Sequence, residues 1–293
     1  MQLATSNPTE ADALPIRIIT PHNGLDAFKD AYRSIIRDWP QTQSLAWRLF
    51  LRDTRAAYRS SFLGYVWLLL PALANTLVWV FLNSQDIVNI DSGDVPYPLF
   101  VFTGTVLWTA FNGALTGAMG IIQEAGGTLS KVNFPHEALL LNALWKSLLN
   151  SAATAIFLIP FLILFPVPLT WHLLLFPIGL FVIMLFGLAV GLIVVPIGAL
   201  FNDLTRAIHL GLRFLFFLTP VIFPLPASGL ARTLFQLNPV TPLLVSTRGW
   251  LIGGEQAMPI AFIALTCVTL FLLAIGTIIF KVALPHIIER LSG

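Results

Sequence analysis

The chain has 293 residues, 57% of them hydrophobic and only 10% charged, with a mean hydropathy of +0.84 and a net charge of +2. A water-soluble domain carries roughly a quarter charged residues, so that class is excluded. A single cysteine, Cys267, excludes an internal disulfide and any cysteine cluster for a metal.

Residues 1–40 are polar and show neither signal-peptide nor transit-peptide pattern, so they read as a cytoplasmic tail. Residues 41–63 read as an interfacial amphipathic helix. Arg48, Arg52, Arg55 and Arg59 are spaced to form one helical stripe, with Trp47, Phe50, Leu51, Thr54 and Tyr58 on much of the other side. Such a helix lies in the membrane interface with its cations near lipid phosphates. It serves either as a topology anchor or as a contact for a cytoplasmic partner or an anionic, lipid-linked cargo.

Residues 64–283 read as a six-helix transmembrane domain, followed by a short cytoplasmic tail over 284–293. Six apolar runs, 65–83, 99–122, 138–165, 172–200, 206–223 and 258–280, are about the length needed to cross a bilayer as helices. The fold class is therefore an all-α integral membrane protein. Arg17, Lys29, Arg33, Arg37 and the four stripe arginines precede the first run. Lys131, Lys146, Arg206, Arg213, Lys281 and Arg290 fall on the same side if the chain begins inside, leaving only Arg232 and Arg248 outside. The positive-inside rule then puts both termini in the cytoplasm.

Between the fifth and sixth runs, Pro224, Pro226, Pro239, Pro242 and Gly253-Gly254 break up two moderately apolar stretches, Leu230–Leu237 and Leu243–Ile252. Each is about half a span, which predicts two re-entrant half-helices; a polar loop is the alternative. Leu237, Asn238, Pro239 and Arg248 form the candidate outer gate, with Asn238 capping the second half-helix.

Ionisable residues deep in a span mark function, and no span centre holds Asp or Glu. That weighs against an ion-coupled carrier. Lys146 and Arg213 either snorkel to the inner face or touch cargo. Trp67, Trp79, Trp108 and Phe111 are candidates for stacking on sugar rings, with an interfacial belt or helix packing as the alternative. The Gly-x-x-x-Gly pairs Gly113/Gly117 and Gly187/Gly191 predict tight helix packing. No paired-carboxylate or His/Asp group gathers at one face, so a membrane enzyme acting on lipid or sugar carriers is second to a transporter.

Four stretches together resemble the membrane subunits of type-2 ABC transporters, in the branch that exports polysaccharides such as O antigen, capsule and teichoic polymers. They are Tyr58-Arg59-Ser60-Ser61-Phe62-Leu63-Gly64-Tyr65-Val66-Trp67 with Pro71; Lys131-Val132-Asn133-Phe134-Pro135; Asn202-Asp203-Leu204 with Phe214–Val221; and Leu237-Asn238-Pro239 with Arg248. The resemblance spans roughly residues 40–283 and departs at Asn202, where many relatives carry Arg. It implies a homodimer in the bacterial inner membrane that moves a lipid-linked polysaccharide outward, each copy docked on a separate nucleotide-binding ATPase. Export of a lipid or hydrophobic drug is the alternative within that family. Glu124, Lys131, Phe134 and Pro135 are then the expected ATPase contact. The chain has no Gly-x-x-x-x-Gly-Lys-Ser/Thr loop, because Gly126-Gly127-Thr128-Leu129-Ser130-Lys131 has the wrong spacing. No cofactor is expected on this chain, ATP and Mg belong on the partner, and the remaining expected partner is membrane lipid, not nucleic acid.

Overall fold

The computed structural model describes residues 37, 39–59, 64, 66–124, 137–168, 170–253 and 258–292. Lys131, Phe134, Pro135, the Gly126–Lys131 stretch, most of the 1–40 tail and part of the Tyr58–Trp67 motif lie outside the described residues. Among the described residues every regular element is helical, and five helices are long and apolar enough to cross a membrane.

Helix α1 spans Trp39–Arg59 and packs against α4, Glu137–Ile156. Thr42, Ala46 and Phe50, at helical spacing, are buried. Trp145 of α4 meets the Trp47 ring edge-on at 5.7 Å and the Phe50 ring at 6.5 Å. Part of the apolar face expected in the acyl boundary is thus taken up by α4, while Trp47 stays about half exposed. The reason is that an aromatic neighbour in the protein competes with lipid for the same surface.

Helix α2 is Val66–Ser84, with Pro71 inside it, and α3 is Tyr97–Met119. Helix α3 is the centre of the molecule and is buried for most of its length. Its close companion is α6, Phe176–Leu200. Helix α4 stops at Ile156, and a short helix α5, Leu158–Leu164, follows. Pro160 explains the break: it has no N–H for the Ile156 carbonyl. A 3₁₀ turn, Trp171–Leu175, leads into α6.

The two Gly-x-x-x-Gly pairs turn out differently. A Cβ at Gly187 would collide with the Phe111 carbonyl, and one at Gly191 would press on Ala118 and Leu115, so α3 and α6 touch backbone to backbone there. A Cβ at Gly113 would meet nothing, and at Gly117 only Ser147 Oγ at 3.8 Å. The Gly113/Gly117 pair faces an opening, with only Ser147 of α4 at ordinary contact distance, which corrects the tight packing expected for it.

Helix α7, Asn202–Phe217, begins with Asp203 in its first turn, where the helix dipole favours an anion. It is 16 residues long and ends before the expected limit at 223. Pro220 cannot donate to the Phe216 carbonyl, and Thr219 Oγ1 donates instead to the Leu215 carbonyl at 2.6 Å. Two short helices follow, α8 (Gly229–Leu237) and α9 (Val240–Ile252). The last helix, α10, runs from Pro259 to Ser292, so the segment expected as a tail from 284 continues the helix. Helix α10 lies along α6, while α2 and α10 leave most of their apolar surface uncovered.

Candidate functional site

Because α3 runs the length of the bundle, it carries three sites: one near its start, one at its middle and one near its end.

Near its start, α9 brings Arg248 against it. The arginine is completely buried. Its guanidinium lies 3.7 Å above the Phe100 ring centroid, and Nη1 donates to the Val221 carbonyl at 3.2 Å. Gly104 makes room for this: a Cβ there would collide with the Val221 carbonyl and crowd Nη1. Asn238 secures the same strand of chain. Its amide Nδ2 donates to Thr219 Oγ1 at 2.7 Å and to the Leu218 carbonyl at 3.2 Å, while Oδ1 accepts from the Val240 N–H at 3.0 Å. Asn238 is buried, whereas Leu237 beside it is 73% exposed. Helix α8 shares that exposure at Leu230 and Leu234, while most of α9 is buried.

At the middle, α2, α3 and α7 enclose an open groove of about 550 Å³. Its aromatic wall is Trp108, Phe216 and Phe217. The rings are edge-on to one another: Trp108 to Phe216 at 5.6 Å, Phe216 to Phe217 at 5.3 Å, Phe217 to Trp79 at 6.4 Å. The polar wall is Asn75, Asn112, His209 and Arg213. Asn75 is oriented by a hydrogen bond from Nδ2 to Thr105 Oγ1 at 3.1 Å. Of the four aromatic residues singled out from the sequence, Trp108 lines this groove and Trp79 stands behind it against Phe217. Phe111 is buried and stacks on Phe186 at 5.8 Å, and Trp67 is exposed lower on α2. Sequence reasoning passed over Asn75 and Asn112. Their signal was available: an amide inside an apolar run is costly in lipid unless something answers it.

Near its end, α3 gives way to a short helical stretch bearing Glu124. Lys146 of α4 contacts Glu124 at 2.7 Å and Asp53 of α1 at 3.0 Å. Asn142 Nδ2 and Arg52 also donate to Asp53, both at 2.9 Å. Burial raises the Asp53 carboxyl pKa, but the hydrogen bonds from Asn142, Lys146 and Arg52 outweigh it and hold the group below the ordinary aspartate range. These residues border a cleft of about 150 Å³ that Gly113 and Gly117 leave open. Of the expected ATPase contacts, Glu124 is therefore tied to α4 by Lys146, and through that lysine to Asp53 of α1. Close by, buried Glu137 pairs with Lys281 of α10. The four stripe arginines line one open hollow along α1, with Arg52 shared between it and the cleft. No group of three metal-binding side chains occurs among the described residues.

Residues 40–252 match the family of ABC-2 type transporters. The chain belongs to the ABC-2 type transporter family. Similar members of that family are named for polysaccharide transport. An O-antigen export system permease protein of Myxococcus xanthus is 30% identical over 256 residues, 84% of this chain and 95% of the relative. A Klebsiella pneumoniae O-antigen export permease is 25% identical, covering 78% of this chain and 88% of its own. The polysialic acid transport protein of Escherichia coli is 22% identical, covering 80% and 91%. The ABC-2 match takes in all three α3 sites, since residues 40–252 reach from the first turn of α1 to the end of α9.

Proposed function

We infer that this chain is the membrane-spanning subunit of an ATP-driven exporter that moves a lipid-linked polysaccharide outward across the bacterial inner membrane. The groove between α2, α3 and α7 carries the reading. The faces of its aromatic rings suit the apolar C–H faces of sugar rings, and its amides suit their hydroxyls. A purely hydrophobic cargo gives no use to the four polar residues there.

In this reading α7 and the turn after it complete a sixth crossing, both termini are cytoplasmic, and α1 lies along the inner surface with its arginines toward lipid phosphate. Helices α8 and α9 are half-helices returning from the outer face, pinned by Asn238 and Arg248. Residues 1–40 are a tail, 41–63 the interfacial helix and 64–283 the transmembrane unit. The uncovered apolar faces are left for lipid and a second copy of the chain. ATP and Mg are handled by a separate ATPase subunit, which docks on the Glu124, Lys131, Phe134 and Pro135 segment.

The test is reconstitution with the ATPase subunit in inverted vesicles. ATP-dependent uptake of a lipid-linked glycan is expected, with Trp108→Ala lowering uptake and leaving insertion intact. Lys131→Ala and Phe134→Ala should lower uptake per ATP hydrolysed. Uptake of simple lipids but not of glycans would overturn the polysaccharide reading in favour of a lipid exporter.

A further inference from the structure

The groove between α2, α3 and α7 differs from the cleft at the α1 end in its charge. The cleft is balanced: Arg52 and Lys146 meet Asp53 and Glu124 within it. The groove has Arg213 and His209 and no carboxylate among its described lining residues. The nearest acid earlier on α7, Asp203, lies about two turns before His209 and is already met by Arg206 at 3.5 Å.

His209, Arg213 and Phe216 stand at i, i+4 and i+7 on α7, so they share one face. Across the groove, Trp108 and Asn112 stand at i and i+4 on α3. The contact of Trp108 with Phe216 fixes the level of the two helices. Because they run antiparallel, Asn112 then faces the level of Arg213. The groove therefore has two rungs, a cation-and-amide rung toward the α1 end and an aromatic rung above it.

Arg213 and His209 are both exposed to the open groove, and charge of one sign along a cleft concentrates counter-ions of the other. A guanidinium presents paired donors that match the oxygens of a phosphate or carboxylate. Asn112 adds an amide donor at the same level, while Asn75, bonded to Thr105, lies on the far side of the aromatic rung.

We propose that the Arg213 rung is an oxyanion-binding site that holds a phosphate or carboxylate of the cargo while the adjoining sugar ring rests on Trp108 and Phe216. The proposal rests on the polysaccharide reading of the groove and adds a charge requirement to it. The oxyanion has two possible sources, the phosphate joining glycan to carrier lipid, or an acidic sugar within the polymer. The chemistry at Arg213 is the same for both.

The experiment measures equilibrium binding to the assembled transporter in nanodiscs, using three probes: a polyprenyl phosphate, a neutral oligosaccharide and an oligouronate. Arg213→Gln should weaken an anionic probe by roughly tenfold or more, the worth of a charge-assisted hydrogen bond. It should leave the neutral oligosaccharide unchanged, and Arg213→Lys should recover part of the loss. Weakening of the polyprenyl phosphate alone assigns the site to the carrier phosphate. Weakening of the oligouronate alone assigns it to the polymer. Trp108→Ala should weaken the neutral oligosaccharide, which reports on the groove itself. If Trp108→Ala has that effect and Arg213→Gln binds all three probes as wild type does, the oxyanion site is wrong and the groove reading stands. If neither change affects any probe, both fall.

Discussion

The two ends of α3 are held in opposite ways. At the Phe100 end, one fully buried arginine and one buried asparagine bond mostly to backbone carbonyls and a hydroxyl. At the Glu124 end, four charged residues on α1, the α3 extension and α4 meet in pairs that water still reaches. A buried donor has no alternative partner, so losing it costs the full desolvation of whatever it leaves behind. An exposed ion pair can exchange its partner for water and is worth little. The contacts at the Phe100 end are therefore costly to break, while the Arg52–Asp53–Lys146–Glu124 cluster can rearrange at small cost; the buried Glu137–Lys281 pair near that cluster is of the first kind.

The largest effect that sharpens this contrast is expected from Arg248→Ala. It empties a large buried volume and leaves the Val221 carbonyl without its Nη1 bond. A loss of about 3–5 kcal/mol is expected, typical for a large buried side chain cut to alanine. Arg248→Met restores much of the volume but not the charge. Stability toward SDS unfolding should therefore rank wild type, then Met, then Ala. A Met variant as stable as wild type would mean that packing, not the guanidinium, holds this end.

Next comes Lys281→Met, which strands Glu137 in a buried position at the other end. The cost should approach about 3 kcal/mol, the lower bound for orphaning a buried charge. Adding Glu137→Gln should recover most of it, because the pair as a whole is worth far less than either half alone. Failure of the double variant to recover would show that this pair has a role beyond mutual neutralisation.

Asn238→Ala should cost about 1–3 kcal/mol, since Thr219 Oγ1, the Leu218 carbonyl and the Val240 N–H all lose a partner. The readout that separates it from a general loss is local. Amide exchange should rise at Val240 and Thr241 more than along α6.

How far the sequence discloses this depends on whether the deciding neighbour is near in the chain. The apolar runs, the helical stripe of arginines and the half-length helices are local patterns, and α1, α8 and α9 form where those patterns lie. The two glycine pairs show the opposite case. Gly113/Gly117 and Gly187/Gly191 have identical spacing, yet only the second meets a backbone, because α6 presents it to α3. Spacing names a face and says nothing about what will stand opposite. The same holds for Asp53, which attracts no notice in the sequence until α4 brings Asn142 and Lys146 to it. Arg248 was conspicuous for the reverse reason: a lone cation in an apolar segment requires a partner wherever that partner is.

The smallest effect is expected at Asp53, and its dependence on pH and salt tests the contrast most directly. Its carboxyl is held below the ordinary aspartate range, so the folded state binds a proton less readily than the unfolded chain does. Its contribution is therefore present at any pH above the ordinary value and is lost only as pH falls through the lower folded value. Between about pH 5 and 8 the difference between wild type and Asp53→Asn should be flat, and it should shrink only below about pH 4, where an ordinary aspartate begins to protonate. Its size should be about 1 kcal/mol or less, as for other water-exposed pairs. It should fall further in 1 M salt, where the screening length is about 3 Å. Arg248→Met measured beside it should keep its full deficit in salt, because water and ions do not reach that site. If salt reduced both deficits equally, the two sites would be electrostatically alike, and the division into contacts costly to break and a yielding cluster would fail.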